Sequence, residues 1–185
     1  MAKQFSSNGG GTVPPSGGGT TSFFRGDGAW AVPAGAFGPS NARKTSDENF
    51  ATSVLANVAG LAFAVTAGRY YEFRFLVLFR SPTATVGIAL GVTCPLAPTR
   101  FGYKARIMIA GDGAGGELQG PGIISGDAVV GTAVPVINTD YVAEVVGILI
   151  PSANGTVQLQ AANETGTTTV VVRQGSLGYL WDHGT

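Results

Sequence analysis

The feature that most constrains this fold is a strict two-residue alternation between Tyr70 and Arg80. A β-strand places alternate side chains on the same face, so the apolar set is expected to face a core. The predicted inward set is Tyr71, Phe73, Phe75, Val77 and Phe79. The opposite face is mixed and includes Leu76 and Leu78. Apolar residues on an outward face indicate a covered surface, so we predict that Leu76 and Leu78 lie at a subunit interface.

Other short apolar segments follow this pattern and are separated by turn residues. The predicted strands are 50–58, 61–66, 85–94, 100–110, 128–137, 141–150, 156–162, 167–174 and 177–181. Asn154-Gly155 is the best hairpin signal. The Gly-rich stretch 111–126 is expected to be a long loop. Because no segment has a convincing helical period with caps, the pattern predicts an all-β protein, an antiparallel β-sandwich or jelly roll.

The start of the chain has a different composition, since ten of the 29 glycines lie between Gly9 and Gly38. Such a segment buries too little apolar surface to offset the entropy lost on ordering. We therefore expect an extended Gly/Pro-rich anchoring arm over residues 1–43 and a β-sandwich domain over residues 44–185. Fully stretched, forty residues would reach about 130 Å.

Within this arm, the segment 20–33 concentrates aromatic residues around a charge pair. Buried aromatic residues commonly dominate the energy of protein interfaces. We predict that this segment binds a partner protein through Phe23, Phe24, Arg25, Asp27, Trp30, Val32 and Pro33. Arg25-Gly26-Asp27 is also the tripeptide that integrins recognise, but a match of three residues often arises by chance. We interpret it as a tight turn, which glycines on both sides of Asp27 permit.

Charge is scarce in this chain. Eleven Lys and Arg and eleven Asp and Glu make up 12% of its 185 residues, whereas typical globular domains carry about 25%. A surface with so few charges is expected to be covered, either by a membrane or by neighbouring protein. No run of about 18 uncharged apolar residues is present to cross a membrane, so we expect an oligomer or assembly without membrane contact. A net charge of zero offers no basic footprint for nucleic acid.

Residues that usually carry catalysis or bind metals are few and scattered. The only histidine, His183, is expected to lie at a frayed terminus. The single cysteine, Cys94, has no partner at metal-ligand spacing and is expected to be a small buried residue. Asp112 and Glu117 provide too few oxygen ligands for a calcium loop. We therefore expect no catalytic residue, no bound metal and no cofactor.

The segment 15–33 reads PSGGGTTSFFRGDGAWAVP and resembles a linker of tailed-bacteriophage virion proteins. In that linker, a Gly/Thr spacer precedes a string similar to FLRGDGTWATP, from which this chain departs at Phe24, Ala29 and Val32. Segments 60–73 and 147–157 are similar to parts of small phage structural proteins. The resemblance implies a virion β-sandwich, usually trimeric, without enzymatic activity.

The leading hypothesis is a non-enzymatic, homotrimeric component of a phage particle, either a capsid decoration (cement) protein or a head fibre. It would be made in the host cytoplasm and held on the virion surface by its arm. Its partners would be two copies of itself and the major capsid protein or another virion protein, with no nucleic acid and no membrane.

Two alternatives remain open. One is a tail fibre or receptor-binding protein that recognises host glycan, for which the candidate residues are Tyr103, Tyr179 and Trp181. The other is a carbohydrate-active enzyme on a jelly roll. It would need a carboxylate pair, which the sequence could draw only from scattered residues such as Glu72, Glu117, Glu144 and Glu164.

Overall fold

The computed structural model describes residues 39–109 and 116–185 and, earlier in the chain, two short strands. The chain divides into two units, Met1–Gly38 and Pro39–Thr185. In the first unit, β1 (Phe23–Phe24) pairs antiparallel with β2 (Trp30–Ala31). Residues 1–22, 25–29, 32–38 and 110–115 lie outside the described part of the chain.

The second unit is built from strands alone, as far as it is described. They are β3 (Ser40–Arg43), β4 (Glu48–Phe50), β5 (Ala56–Val65), β6 (Tyr71–Arg80), β7 (Ile88–Thr93), β8 (Arg100–Ile109), β9 (Gly116–Gly122), β10 (Ala128–Val130), β11 (Tyr141–Ile150), β12 (Gly155–Asn163), β13 (Val170–Val172) and β14 (Leu177–Asp182). All their pairings are antiparallel. The described residues include no helix long and apolar enough to span a membrane. The prediction of an all-β, antiparallel protein is confirmed.

The strands form two sheets. The smaller sheet has the order β10-β7-β12-β5, and the larger has the order β3-β14-β6-β11-β8-β9, with β13 bridging β6 and β4. The eight strands from β5 to β12 pair in a nested order: β5 with β12, β6 with β11, β7 with β10 and β8 with β9. The chain therefore crosses repeatedly from one sheet to the other.

The inward faces of both sheets contribute to one core. Phe73, Phe75 and Phe79 of β6 are fully buried together with apolar residues of β5, β7 and β12. The rings of Phe63 in the smaller sheet and Phe75 in the larger sheet lie 6.0 Å apart. The alternation predicted for β6 is confirmed, since its five predicted inward residues are all buried and Leu76 lies on the other face.

The hairpin prediction at Asn154-Gly155 is wrong. β11 and β12 belong to different sheets, and residues 151–154 connect the two. The Asn154 Oδ1 atom instead accepts a hydrogen bond of 2.9 Å from the backbone N–H of Ala67. A turn motif describes only the local backbone, whereas β12 pairs with β5 and β7, which come much earlier in the chain.

The Gly-rich stretch predicted as a loop contains a strand, because β9 pairs with β8 along its whole length. Its glycines meet a packing requirement. A Cβ on Gly122 would lie 2.0 Å from the ring of Tyr103, and one on Gly120 would lie 2.8 Å from Val129. At Gly120 and Gly122, therefore, glycine is required by the close approach of neighbouring side chains.

Two other strand predictions change in extent. The predicted strand 50–58 is split, since β4 ends at Phe50 and β5 begins at Ala56. The predicted strand 128–137 keeps only its first three residues, and Pro135 cannot donate a ladder hydrogen bond. Residues Ser40–Arg43, which the composition places in the arm, form β3 and pair with β14.

Candidate interaction surfaces

The first candidate surface is the aromatic segment of the N-terminal unit. The pairing of β1 with β2 places the backbone of Phe24 opposite Trp30 and that of Phe23 opposite Ala31. The other predicted partner-binding residues, Arg25, Asp27, Val32 and Pro33, lie outside the described residues. Their role, and the turn at Arg25-Gly26-Asp27, stay predictions.

The second candidate surface is the outer face of the larger sheet, where Leu76 and Leu78 both lie half-buried on β6. Across the strands, Leu76 lies between Leu177 and Glu144, and Leu78 is opposite Val142. Val142 is 57% exposed. The structure thus brings the two predicted residues together with an apolar neighbour from β11 that sequence analysis had not singled out.

An ion cluster lies on the same face. Glu144 accepts two guanidinium contacts, one from Arg74 at 2.6 Å and one from Arg106 at 3.8 Å. Together with Leu76 and Val142, these three residues line a shallow depression of about 350 Å³. The charges come from three adjacent strands, so the cluster neutralises cross-strand neighbours within the sheet.

The glycan candidates separate into two groups. Tyr179 and Trp181 stack on each other on the outer face of β14, with ring centroids 5.9 Å apart and planes at 26°. In contrast, Tyr103 is 5% exposed and its hydroxyl donates a hydrogen bond to the backbone carbonyl of Asp127. Burial raises the pKa of Tyr103 to about 12. Tyr103 is therefore a core residue, and only the stacked pair could meet a ligand.

A third surface, the loop-end band, consists of exposed apolar residues near the connections between the sheets. Its members are Leu96, Ile124, Ile123, Ile148 and Tyr70. Leu96 is 88% exposed. Three adjoining depressions of about 500, 530 and 540 Å³ link these residues, since the first two share Ile123 and the last two share Ile148. Glu72, Arg100 and Lys104 also line these depressions, so the band mixes exposed apolar residues with charged ones. Exposed apolar clusters rimmed by polar residues are typical of interaction surfaces.

The outer face of the smaller sheet has a different character, because β5, β7, β10 and β12 contain no charged residue at all. We call this surface the neutral face. Its exposed and half-buried residues include Asn57, Ala62, Ala64, Thr93, Ala128, Val130, Thr156, Gln158 and Gln160, whereas Ala89, Gly91 and Ala162 on the same side are buried within the chain. Sequence reasoning missed it because it looked for large apolar residues. The available signal was the lack of charge in four separate strands.

The remaining reactive groups occupy structural positions. Cys94 is buried as predicted, and its backbone N–H donates to the Ser125 hydroxyl at 3.0 Å. The prediction that His183 lies at a frayed terminus is wrong, because the backbone N–H of His183 donates a hydrogen bond of 2.8 Å to the carbonyl of Tyr70. Asp182 also binds Arg69 at 2.8 Å. Within the described residues, no group of three or more His, Cys, Asp or Glu could hold a metal ion.

Comparisons of the chain with models of protein families, with curated proteins and with solved structures found no match in any of the three.

Proposed function

We propose that this chain is a non-enzymatic structural component of a tailed-phage particle. In this role it is a homotrimeric capsid decoration (cement) or head-fibre protein on the virion surface, anchored by its N-terminal arm. The observation that carries the proposal is a β-sheet body in which one complete sheet lacks charge. Isolated soluble domains normally expose mixed charges, whereas interface cores are depleted of them.

We also propose that β5 to β12 form a jelly-roll sandwich. Two observations support this architecture: the nested pairing of the eight strands, from first with last to fourth with fifth, and the core that both sheets share. Jelly rolls recur in viral capsid proteins and in lectins. Since one fold serves several functions, the architecture agrees with a virion role without selecting it.

The polar side chains support a role without catalysis. Glu144 binds two arginines, and Glu164 accepts a hydrogen bond of 3.0 Å from the backbone N–H of Gly87. Burial raises the pKa of Cys94, which disfavours the reactive thiolate. Glu144 and Glu164 are thus each engaged in a separate structural contact, whereas a carboxylate pair for glycoside cleavage needs two carboxyl groups close together.

The anchoring role of the arm draws on its aromatic composition and on the pairing of β1 with β2. A two-stranded ribbon such as β1–β2 is marginally stable by itself in water. A partner surface that receives aromatic residues would stabilise it, and such residues contribute about 2 kcal/mol or more each at interface hot spots. The partner in this proposal is the major capsid protein or another virion protein.

Deletion of residues 1–38 tests the anchor. The deletion must stop there, because β3 (Ser40–Arg43) pairs with β14. We expect the truncated chain to remain a folded trimer and to lose binding to particles that lack the protein. A full-length variant with Phe23, Phe24 and Trp30 each changed to Ser should lose binding as well, while the spacer control Val13→Ser should bind normally. Full occupancy by the truncated chain would refute the anchoring role.

A tail-fibre protein that binds host glycan is the second candidate, favoured by the stacked Tyr179–Trp181 pair beside the outward-facing Arg74. An aromatic pair with polar neighbours is a common lining of ligand sites. A specific glycan-array signal that Trp181→Ala abolishes would support this function. Imaging of a label on the chain in intact virions would separate a head position from a tail position.

A further inference from the structure

We infer that the neutral face of the smaller sheet packs around the three-fold axis of the homotrimer, against the same face of two further copies of this chain. The inference rests on the proposed function for the trimeric state and adds the surface that forms it. The occupant is a second and third copy, and the reasons lie in charge, hydrogen bonding and shape.

The charge pattern is the first reason. Near a rotation axis, a residue lies close to its own symmetry copies, so a charged side chain there would face the same charge. Like charges placed opposite one another destabilise a β-contact. The neutral face contains none, whereas the outer face of the larger sheet carries Arg74, Lys104, Arg106 and Glu144. The neutral face is thus the sheet surface on which copies can meet without repulsion.

Hydrogen bonding is the second reason. Glutamine and threonine side chains both donate and accept, so each can bond to its own copy. The Gln160 amide nitrogen donates to Asn57 at 2.9 Å, and that of Gln158 donates to the Val58 carbonyl at 3.3 Å. These bonds hold both amides in place at the centre of the face, next to Thr93 and Thr156. Their carbonyl oxygens can then accept hydrogen bonds from neighbouring copies.

Shape is the third reason. Among the remaining accessible positions, Ala62, Ala64 and Ala128 have small side chains, which let backbones approach closely, whereas Ala89, Gly91 and Ala162 are buried within the chain. At one end, the Leu55 side chain already covers Gly91, where an added Cβ would lie 2.7 Å from the Leu55 Cδ1 atom. The uncovered part therefore centres on β5 and β12, where exposed Ala64 and Thr156 lie opposite each other in register.

Two outer faces are candidates for the contact at the three-fold axis: the neutral face and the face with Leu76 and Leu78. The two sheets pack through their inner faces, so their outer faces point in opposite directions and only one can face a common axis. A nucleic acid or an anionic lipid surface would find no opposite charge on the neutral face. With the neutral face at the axis, Leu76 and Leu78 are left for a different contact.

Charge substitution on the full-length chain tests the inference. Thr156→Lys, Thr156→Glu and Ala64→Lys change exposed positions, so they should alter the stability of the single chain little. We expect each to raise the concentration at which half of the chains assemble by about 100-fold or more, because like charges at an interface cost several kcal/mol. Val142→Lys, at an exposed position of the opposite outer face, is the matched control and should leave assembly unchanged, as should Leu76→Lys at a half-buried position of that face. Native mass spectrometry over a dilution series measures each state.

Mixing the variants provides the sharper readout. Thr156→Lys and Thr156→Glu chains should fail to assemble alone and should form mixed trimers together, since opposite charges then meet at the axis. A trimer broken by Leu76→Lys and left intact by the Thr156 and Ala64 variants would overturn the neutral-face contact while leaving the homotrimer in place. A monomeric wild-type chain would overturn the proposed homotrimer and this inference with it. Circular dichroism of each variant confirms that the chain is folded.

Discussion

The two sheets of the body have similar inner faces and very different outer faces. Inside, each presents large apolar residues, and the contact between Phe63 and Phe75 joins them. Outside, the larger sheet carries charges that pair across strands, as at Arg74 and Glu144. The smaller sheet carries none.

This difference separates two kinds of constraint. Core formation acts on every inner position, because apolar area removed from water drives folding at about 25 cal/mol per Å². It leaves outer positions open to any residue that water or a neighbour tolerates. The presence or absence of charge on an outer face therefore depends on what surrounds the folded body more than on how the body folds.

The largest effect should come from the core that the sheets share. Phe75→Ala in the larger sheet and Phe63→Ala in the smaller should each lower the free energy of unfolding by about 3–5 kcal/mol, because each leaves a cavity. Denaturant titration measures the loss. Since the rings are neighbours, the double variant should lose less than the sum of the two. The control Val142→Ala, at an exposed outer position, should cost under about 1 kcal/mol. A loss at Phe63 as small as the control would mean that the sheets do not share one core.

Alkaline pH should weaken a link between the sheets. Tyr103 of β8 donates to the carbonyl of Asp127, which directly precedes β10. Burial raises the pKa of Tyr103 to about 12, above the ordinary value of about 10. The folded state then holds this proton more tightly than the unfolded state. The resulting stabilisation is full below pH 10 and falls as the pH rises from about 10 to 12, by at most about 3 kcal/mol.

Denaturant titration at several pH values above 9 tests this dependence. Tyr103→Phe serves as the control, since it removes the titrating hydroxyl and keeps the ring. The variant should lose less stability across the same pH window than the wild type does. Equal slopes for the two chains would show that other groups cause the alkaline loss.

Glycine substitutions should distinguish the two outer faces. A Cβ at Gly91 of the smaller sheet would lie 2.7 Å from both the Asp127 carbonyl and Leu55. Gly91→Ala should therefore cost about 1–3 kcal/mol through overpacking. At Gly102 of the larger sheet, the nearest atom is the Gly122 carbonyl at 4.0 Å. Gly102→Ala should be neutral or stabilise by up to about 1 kcal/mol. Thermal melting compares the pair, and an equal cost at both sites would contradict the packing described for the smaller sheet.

The smallest effect should come from the ion cluster that only the larger sheet possesses. Glu144→Gln removes one charge between Arg74 and Arg106 and should cost under about 1 kcal/mol, because the pairs are partly exposed. High salt should shrink the difference from wild type, since screening weakens such pairs. The matched change Thr156→Glu adds a charge at an exposed position of the smaller sheet instead, so its effect should appear in assembly. A salt-independent loss at Glu144 would indicate a packing role.

Local alternation predicted much of the body correctly. The strand from Tyr141 to Ile150 has the predicted bounds, and Tyr71 to Phe79 have the predicted inward side chains. The loop prediction from glycine content failed where glycine has a packing role, as at Gly122 in β9, because composition alone does not distinguish a loop from a crowded strand. The hairpin prediction also failed at Asn154-Gly155, where a turn signal marks a crossing between sheets.

The candidate surfaces were only partly predictable for a similar reason. The outward position of Leu76 follows from alternation within one strand. Its neighbours Glu144 and Leu177 come from strands about 70 and 100 residues later in the chain, so only the pairing register reveals them. The neutral face is more dispersed still, since β5, β7, β10 and β12 are separated by strands of the other sheet.

Sequence alone settles which side chains of a strand share a face, because the two-residue period is a property of the extended backbone. That period placed Phe73 and Phe75 inside and Leu76 outside before any neighbour was known. Only the tertiary structure decides which strands adjoin, because those contacts close long loops and depend on the packing of the whole core. The uncharged sheet is such a case: its four strands look ordinary one by one, and only their pairing joins them into a single face.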